Sequence, residues 1–283
     1  MRKGERTVAS WLSGALVLSA FGAVLWLEGR RPLRRETEDK LRRDARNLAV
    51  AGAGALVAGL LEKPAAERAA RLVERRRLGL LKLVRLPGPV ETAAAVVLLD
   101  YTLYLWHVLT HRSPFLWRFH VVHHADLDLS ATTALRFHFA ELLLAVPWRA
   151  AQILSVGVSP RAFSIWQTLL MVSILFHHSN VRLPAGVERR LARLVVTPRL
   201  HGIHHSIVRE EADSNWSSGL TVWDRLHGTL RLDVPQEEIN VGVPAYREPE
   251  EVTLGRVLAL PFGRQRPTWR LGGDGPRPRR ETA

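Results

Sequence analysis

Five apolar runs, set apart by arginine-rich segments, constrain this 283-residue chain more than any other feature. Residues 8–27 make a stretch of the length that crosses a bilayer as a helix, about 20 residues. Arg2, Lys3 and Arg6 precede it, and Arg30-Arg31 follows like a stop-transfer signal. The run is long for a cleaved leader and is expected to remain as an anchor. Residues 47–61 form a shorter run with Ala51, Ala55 and Gly59 at four-residue spacing, which lets helix backbones approach closely. Its length alone does not decide whether it crosses. Residues 92–108 carry Asp100 within an apolar run. Residues 139–158 and 161–176 meet at Ser159-Pro160, a break that predicts a helical hairpin with both outer ends at one membrane face. Only helices and closed barrels satisfy their own backbone in lipid, and runs of this length select helices. The expected fold class is therefore all-α, an integral-membrane helical bundle.

The net charge of +13 in a chain that is 47% hydrophobic needs its own account. In a soluble protein such basicity points to nucleic acid. Here the blocks Arg30-Arg31, Arg34-Arg35 and Arg75-Arg76-Arg77 lie between apolar runs, where they face anionic headgroups. The pattern argues against a nucleic-acid partner. The segments 30–46 and 62–90 are both expected to be loops and are equally basic, so charge does not fix the topology. Residues 183–196 mix Arg189, Arg190 and Arg193 with Leu191, Leu194 and Val195, a pattern suited to an interfacial helix. From Arg264 onward the chain reads as disordered. The organisation that follows is an anchor region over 1–90, a catalytic region over 91–240 and a basic, partly disordered tail over 241–283.

There is no cysteine, which removes disulfides, thiolate metal sites and cysteine nucleophiles. There are twelve histidines, and eight fall in three clusters. His107 and His111 form an HxxxH pair on one helix face. His120, His123 and His124 form HxxHH; His201, His204 and His205 repeat it. Spacings of three and four residues put each set on one face, and a second chance copy is improbable. Asp100 shares the stripe of His107 and is expected to pair with it, since an intramembrane carboxylate is costly alone. The hairpin brings His138 and His178 to the level of the clusters, with Glu141 one turn from His138 and placed to orient it. His227 is read as structural. So many imidazoles exceed the four to six ligands of one first-row ion, so two ions are expected. Zinc fits the ligands; a buried pair beside membrane spans suggests redox chemistry, and iron can reduce dioxygen.

At these residues the sequence resembles the fatty acid hydroxylase / sterol desaturase superfamily, over about residues 98–232. The resemblance lies in Asp100 to His111, Trp117-Arg118-Phe119-His120 to His124, Thr132 to His138, and His178-Ser179-Asn180. It continues in Thr197-Pro198-Arg199-Leu200-His201 to His205, Asp213-Ser214-Asn215-Trp216 and Leu220 to Thr229. It implies a di-iron centre in a cytosolic helical cap above the bundle. It also implies dioxygen-dependent hydroxylation or desaturation of a lipid chain at a bacterial inner membrane. The implied ligands are His107, His111, His120, His123, His124, His138, His178, His201, His204 and His205. Asn180, Asn215 and Asp224, within the matching motifs, join Asp100 and Glu141 as expected supports. Two positions depart: Ile174 stands where some members have a further histidine, and Phe139 where many bacterial relatives have proline.

No dinucleotide fingerprint, haem-binding motif or iron–sulfur module is recognisable, so a separate electron-transfer protein is expected. Arg112, Arg118, Arg199 and Arg209 are candidates for docking an acidic one. The alternative is a membrane metal- or lipid-binding protein without turnover. Transporters carry polar groups midway through several spans, whereas here only Asp100 is clearly intramembrane, which favours an enzyme. The motifs do not separate fatty acyl, sterol-like, carotenoid or sphingoid substrates, nor hydroxylation from desaturation.

Overall fold

The computed structural model describes residues 3–269, with side chains from residue 11 onward. Its long elements are all helical: α1 (Lys3–Arg30), α2 (Lys40–Val57), α3 (Lys63–Arg76), α4 (Gly88–Arg112), α5 (Pro114–His124), α6 (Phe139–Val156) and α7 (Pro160–His178). Five short helices follow, α8 (Ala185–Leu191), α9 (Pro198–His204), α10 (Arg209–Ala212), α11 (Val222–Leu226) and α12 (Leu254–Ala259). Among the described residues β-structure is confined to isolated bridges such as Pro32 with Val181. Four segments are long and apolar enough to cross a membrane: Trp11–Arg30, Lys40–Lys82, Gly88–Arg112 and Phe139–Val156. They turn Leu16, Leu56, Leu60 and Leu143 outward, an exterior suited to lipid rather than water. The chain is a multi-pass helical membrane protein by this measure.

The second apolar run does not end in a loop. It passes through a π-helical turn (Ala58–Glu62) directly into α3. Ala66, Ala69, Ala70 and Val73 recur at helical spacing and are buried against α6, while Arg68, Arg71 and Arg75 stay exposed. Much of the basic stretch expected as a loop over 62–90 is thus an amphipathic helix. The small residues set its face, and the arginines are simply its other side.

The hairpin expected at Ser159-Pro160 is present. Gly157, at φ +87°, ends α6 in the left-handed region, and Gly79, at φ +93°, crosses the turn so closely that a Cβ there would lie 2.3 Å from the Gly157 nitrogen. Ser159 Oγ then accepts from the Ala162 amide at 3.2 Å and Pro160 opens α7. α4 packs against both arms, and α1 lies along α7. Both outer ends of the hairpin return to the end of the bundle where α4 terminates.

A buried ionic network fastens that end. Asn47 Nδ2 donates to Asp126 at 2.7 Å, Arg136 Nη1 to Asn47 Oδ1 at 2.7 Å, and Arg136 Nε to the Val122 carbonyl at 2.8 Å. Burial alone would raise the Asp126 carboxyl, but Arg136, Arg43 and Arg46 hold it below the usual carboxylate range. Glu28 of α1 accepts from the amides of Ala131 and Asn180, both at 2.8 Å. The two N-terminal helices therefore brace the segments that follow α5 and α7.

Two expectations change at the C-terminal side. Of residues 183–196, only α8 is a regular helix before the chain turns. Residues 241–269 are ordered: Val243 and Tyr246 pack on Val121, Val252 and Val257 on Val122, and Trp269 stacks on Trp117. The described part of the segment from Arg264 ends at Trp269, against Trp117 of α5; the rest of the expected disorder falls on 270–283, outside the described residues. Removing Asp126 should be costly, since it leaves Arg136 buried without its counter-charge, while Arg43 keeps Asp128 at 2.9 Å. Asp126→Ala should lose on the order of 3–5 kcal/mol in reversible unfolding of the detergent-solubilised protein. A loss under about 1 kcal/mol would show the network to be dispensable.

Candidate metal centre

The two short ligand-bearing helices start in one way. Ser113 Oγ caps the Leu116 amide ahead of Pro114 in α5, and Thr197 Oγ1 caps the Leu200 amide ahead of Pro198 in α9. A capping hydroxyl followed by proline starts a short helix whose last turn carries the HxxHH set. α4 delivers His107 and His111 near its C-terminus, and α7 delivers His178 in its last turn.

Nine imidazoles converge. The ligand nitrogens of His107, His111, His120 and His124 all lie within 4.8 Å of one another, as do those of His123, His178, His201 and His205. His204 joins His124 and His205 within the same 4.8 Å, between the two sets. Eight of the nine are buried and His111 is nearly so.

The hydrogen bonds fix the tautomers. His107 Nδ1 lies 2.7 Å from the Trp216 carbonyl, His204 Nδ1 2.9 Å from the Ser214 carbonyl, and His178 Nδ1 2.8 Å from the Ile174 carbonyl. A carbonyl only accepts, so each Nδ1 carries the proton and each Nε2 presents a bare lone pair. Yet His107 Nε2 and His204 Nε2 face each other at 3.1 Å. Two lone pairs at that distance repel; they are compatible with a shared cation. His178 Nε2, bare as well, lies 3.0 Å from His123 Nε2 and 2.9 Å from His201 Nε2. His111 Nε2, His120 Nε2 and both nitrogens of His124 have no hydrogen-bond partner. Buried polar atoms in this state are rare unless an ion satisfies them. Burial, reinforced by neighbouring rings, pushes His123, His124, His201 and His205 well below the ordinary imidazole value, and burial takes His204 down to about 3. All are therefore neutral, as ligands must be. The residues fit a pair of divalent first-row ions.

The supporting carboxylates are differently paired from what their sequence positions suggest. Glu141 Oε1 accepts from His120 Nδ1 at 2.7 Å, not from His138. Asp100 does not reach His107. It accepts from the Leu220 amide at 3.0 Å and Trp223 Nε1 at 2.7 Å, because two helical turns separate it from the histidine. Asp224 accepts from the amides of Trp216 and Ser217 at 2.9 and 3.0 Å, fixing the carbonyl that clamps His107. Asn215, at φ +52°, donates to the carbonyls of Leu200 and Arg231, both at 2.9 Å, and joins α9 to that loop. Asn180 exchanges bonds with the Arg34 backbone at 2.8 and 2.9 Å and so secures the end of α7.

The family model described as fatty acid hydroxylase matches residues 92–229, a span that contains all nine of these histidines. This chain belongs to the fatty acid hydroxylase / sterol desaturase superfamily. Ornithine lipid hydroxylase OlsE of Rhizobium tropici is 30% identical over 182 residues, 63% of this chain and 52% of that protein. A cholesterol 25-hydroxylase-like protein of Danio rerio is 30% identical over 149 residues, covering 50% and 56%. Human alkylglycerol monooxygenase is 25% identical over 154 residues, covering 54% and 34%. The chain thus spans about half the length, or less, of these curated relatives. No solved structure matches.

Within this superfamily frame, His138 is a correction. Its Nδ1 accepts from the Ala140 amide at 3.1 Å, capping α6, and its Nε2 lies 3.2 Å from the Leu258 carbonyl. With both nitrogens engaged and its ring among Phe119, Phe139 and Phe262, it stands outside the groups. His227 stacks on Tyr104 and is exposed, in keeping with a structural reading. Ile174 contributes only its carbonyl, to His178. His177 was not among the expected ligands. It is buried, its ring centre is 4.1 Å from that of His201, and neither nitrogen has a hydrogen-bond partner. Its adjacency to His178 was the available signal. Glu141→Ala should weaken metal binding by about 10–100-fold through loss of the His120 orientation. His138→Ala should leave metal affinity unchanged, and metal titration of both variants separates the two roles.

Proposed function

We propose that the chain is a dioxygen-dependent non-haem di-iron oxidoreductase that hydroxylates or desaturates an apolar lipid chain. The observation that carries this reading is the paired set of buried imidazoles, together with the bare Nε2 atoms of His107 and His204 that face each other. The proposed ligands are His107, His111, His120, His124 and His123, His178, His201, His205, with His204 between them. Iron bound there would supply the dioxygen activation and electron sharing that attack on an unactivated carbon–hydrogen bond requires.

The chain's own residues do the rest. The carbonyls of Trp216, Ser214 and Ile174 and the carboxylate of Glu141 hold four imidazoles in their ligand tautomer. Asp224 and Asp100 keep the segment 216–220 rigid beneath His107. Val121, Val122 and Ile203, buried on the ligand helices, help keep the surroundings dry, which limits side reactions. In this reading residues 91–240 are the catalytic unit, 1–90 anchor and brace it, and the histidine end faces the cytoplasm of a bacterial inner membrane. Electrons arrive from a separate protein. Arg112, Arg118 and Arg209 lie on or near the surface at the histidine end, and with Arg199 they suit an acidic donor.

Membranes containing the protein, supplied with labelled dioxygen and a reducing system, should yield a lipid that gains one labelled oxygen atom or a lipid two hydrogens lighter. Mass spectrometry of the total lipid reads both. Neither change, with iron demonstrably bound, would replace this reading with one of metal or lipid binding.

A further inference from the structure

A groove of about 680 Å³ opens on the side of the bundle between α4 and α7. Its walls are almost wholly apolar, with Val97, Ile165 and Leu169 at the exposed lip. Trp166 lies buried at the floor, held by the Arg149 guanidinium 4.4 Å above its ring. Along α4 the groove runs from Pro89 to Asp100, and along α7 from Arg161 to Ser173. At 1.5 Å per residue either wall is about 17 Å long. That is close to half the hydrocarbon core of a bilayer, about 30 Å. The groove has the depth of one leaflet.

Its two ends differ. At the open end Arg161 is exposed and makes no ion pair among the described residues. The blunt end is formed by Asp100, Ser173, Gly219 and Leu220. This end wall belongs to the metal centre's own scaffold: Asp100 holds the Leu220 amide, Ser173 Oγ donates to the Ser218 carbonyl at 2.6 Å, and two residues earlier the Trp216 carbonyl clamps His107. One turn beyond Ser173 is the buried His177, with the backbone of Ser218 beside it. The end wall of the groove and the clamp on His107 are thus parts of one short segment, residues 216–220.

We propose that this groove seats a single hydrocarbon chain of an anionic membrane lipid, its head at Arg161 and the distal end of the chain at Ser173 and Leu220, below His107 and His177. The inference rests on the lipid oxidoreductase reading and adds how the substrate is held. Distal carbons, rather than those beside the head, are the ones turned toward the histidines. The single cation at the mouth recognises a carboxylate or a phosphate; the apolar walls recognise chain length, not chain identity.

The test uses the full chain in phosphatidylcholine nanodiscs with three photoreactive probes: a fatty acid with a diazirine near its methyl end, one with it near the carboxylate, and a phosphatidylglycerol with a methyl-end diazirine. The methyl-end probe that binds should label residues around Ser173 and Leu220, and the carboxylate-end probe residues around Pro89 and Arg161. Labelling by the fatty acids alone identifies a carboxylate head; labelling by phosphatidylglycerol identifies a phosphate. Val96→Trp should reduce labelling by about tenfold, the order expected when a bulky side chain fills a cleft. Leu143→Trp, on the outward face of α6, should not. Metal content measured on both variants establishes that the bundle is intact. Labelling spread evenly over outward residues such as Leu143 and Leu16, labelling with the two ends reversed, or labelling indifferent to Val96→Trp at full metal content would each overturn the proposal. Because the readout is binding, it stands or falls separately from turnover: a labelled groove in a protein that oxidises nothing would refute the enzyme reading alone.

Discussion

Lone pairs that face one another organise this structure. His107 and His204 each give their Nδ1 proton to a backbone carbonyl, which leaves their Nε2 atoms 3.1 Å apart with no proton to share. His178 likewise gives its Nδ1 proton to a carbonyl and turns a bare Nε2 toward His123 and His201. A buried polar atom without a partner costs about 1–3 kcal/mol. A few such atoms together rival the net stability of an ordinary domain, about 5–15 kcal/mol. An arrangement of this kind fits metal ions that would satisfy those atoms, and the surrounding fold is shaped to impose it.

That shaping is visible at each level. Hydroxyl-then-proline starts set α5, α7 and α9 so that their last turns end among the histidines. Glycines at 79 and 157 let the far turn close tightly, so both arms of the hairpin return to one end. The Asp126–Arg136–Asn47 network and Glu28 then lock α1 and α2 onto the segments that follow the ligand helices. Residues 241–269 cover the outer face of α5. The anchor helices are accordingly part of the site's framework as well as its attachment to lipid.

Local periodicity was readable from the chain; long-range pairing was not. The apolar runs and the HxxHH spacing declare helices and shared faces, because both depend on residues three or four apart. Nine of the ten expected ligands meet for that reason. Polar partners are another matter. Asp100 shares a stripe with His107, but two helical turns separate them, and the group that reaches His107 is a carbonyl 109 residues later. Glu141 is one turn from His138 in sequence, yet α5 brings His120 to it instead. Backbone carbonyls such as those of Trp216 and Ser214 leave no side-chain signature at all. The basic stretch over 62–90 misleads in the other way: the arginines stand out in composition, while the alanines that build α3 do not.

The central claim is that these imidazoles hold two metal ions as one unit, and Mössbauer spectroscopy with iron counting on anaerobically reconstituted protein tests it most directly. The account predicts about two irons per chain in nitrogen-rich, magnetically coupled environments, since the ligands exceed what one first-row ion accepts. A single uncoupled iron per chain, or none retained, would contradict it.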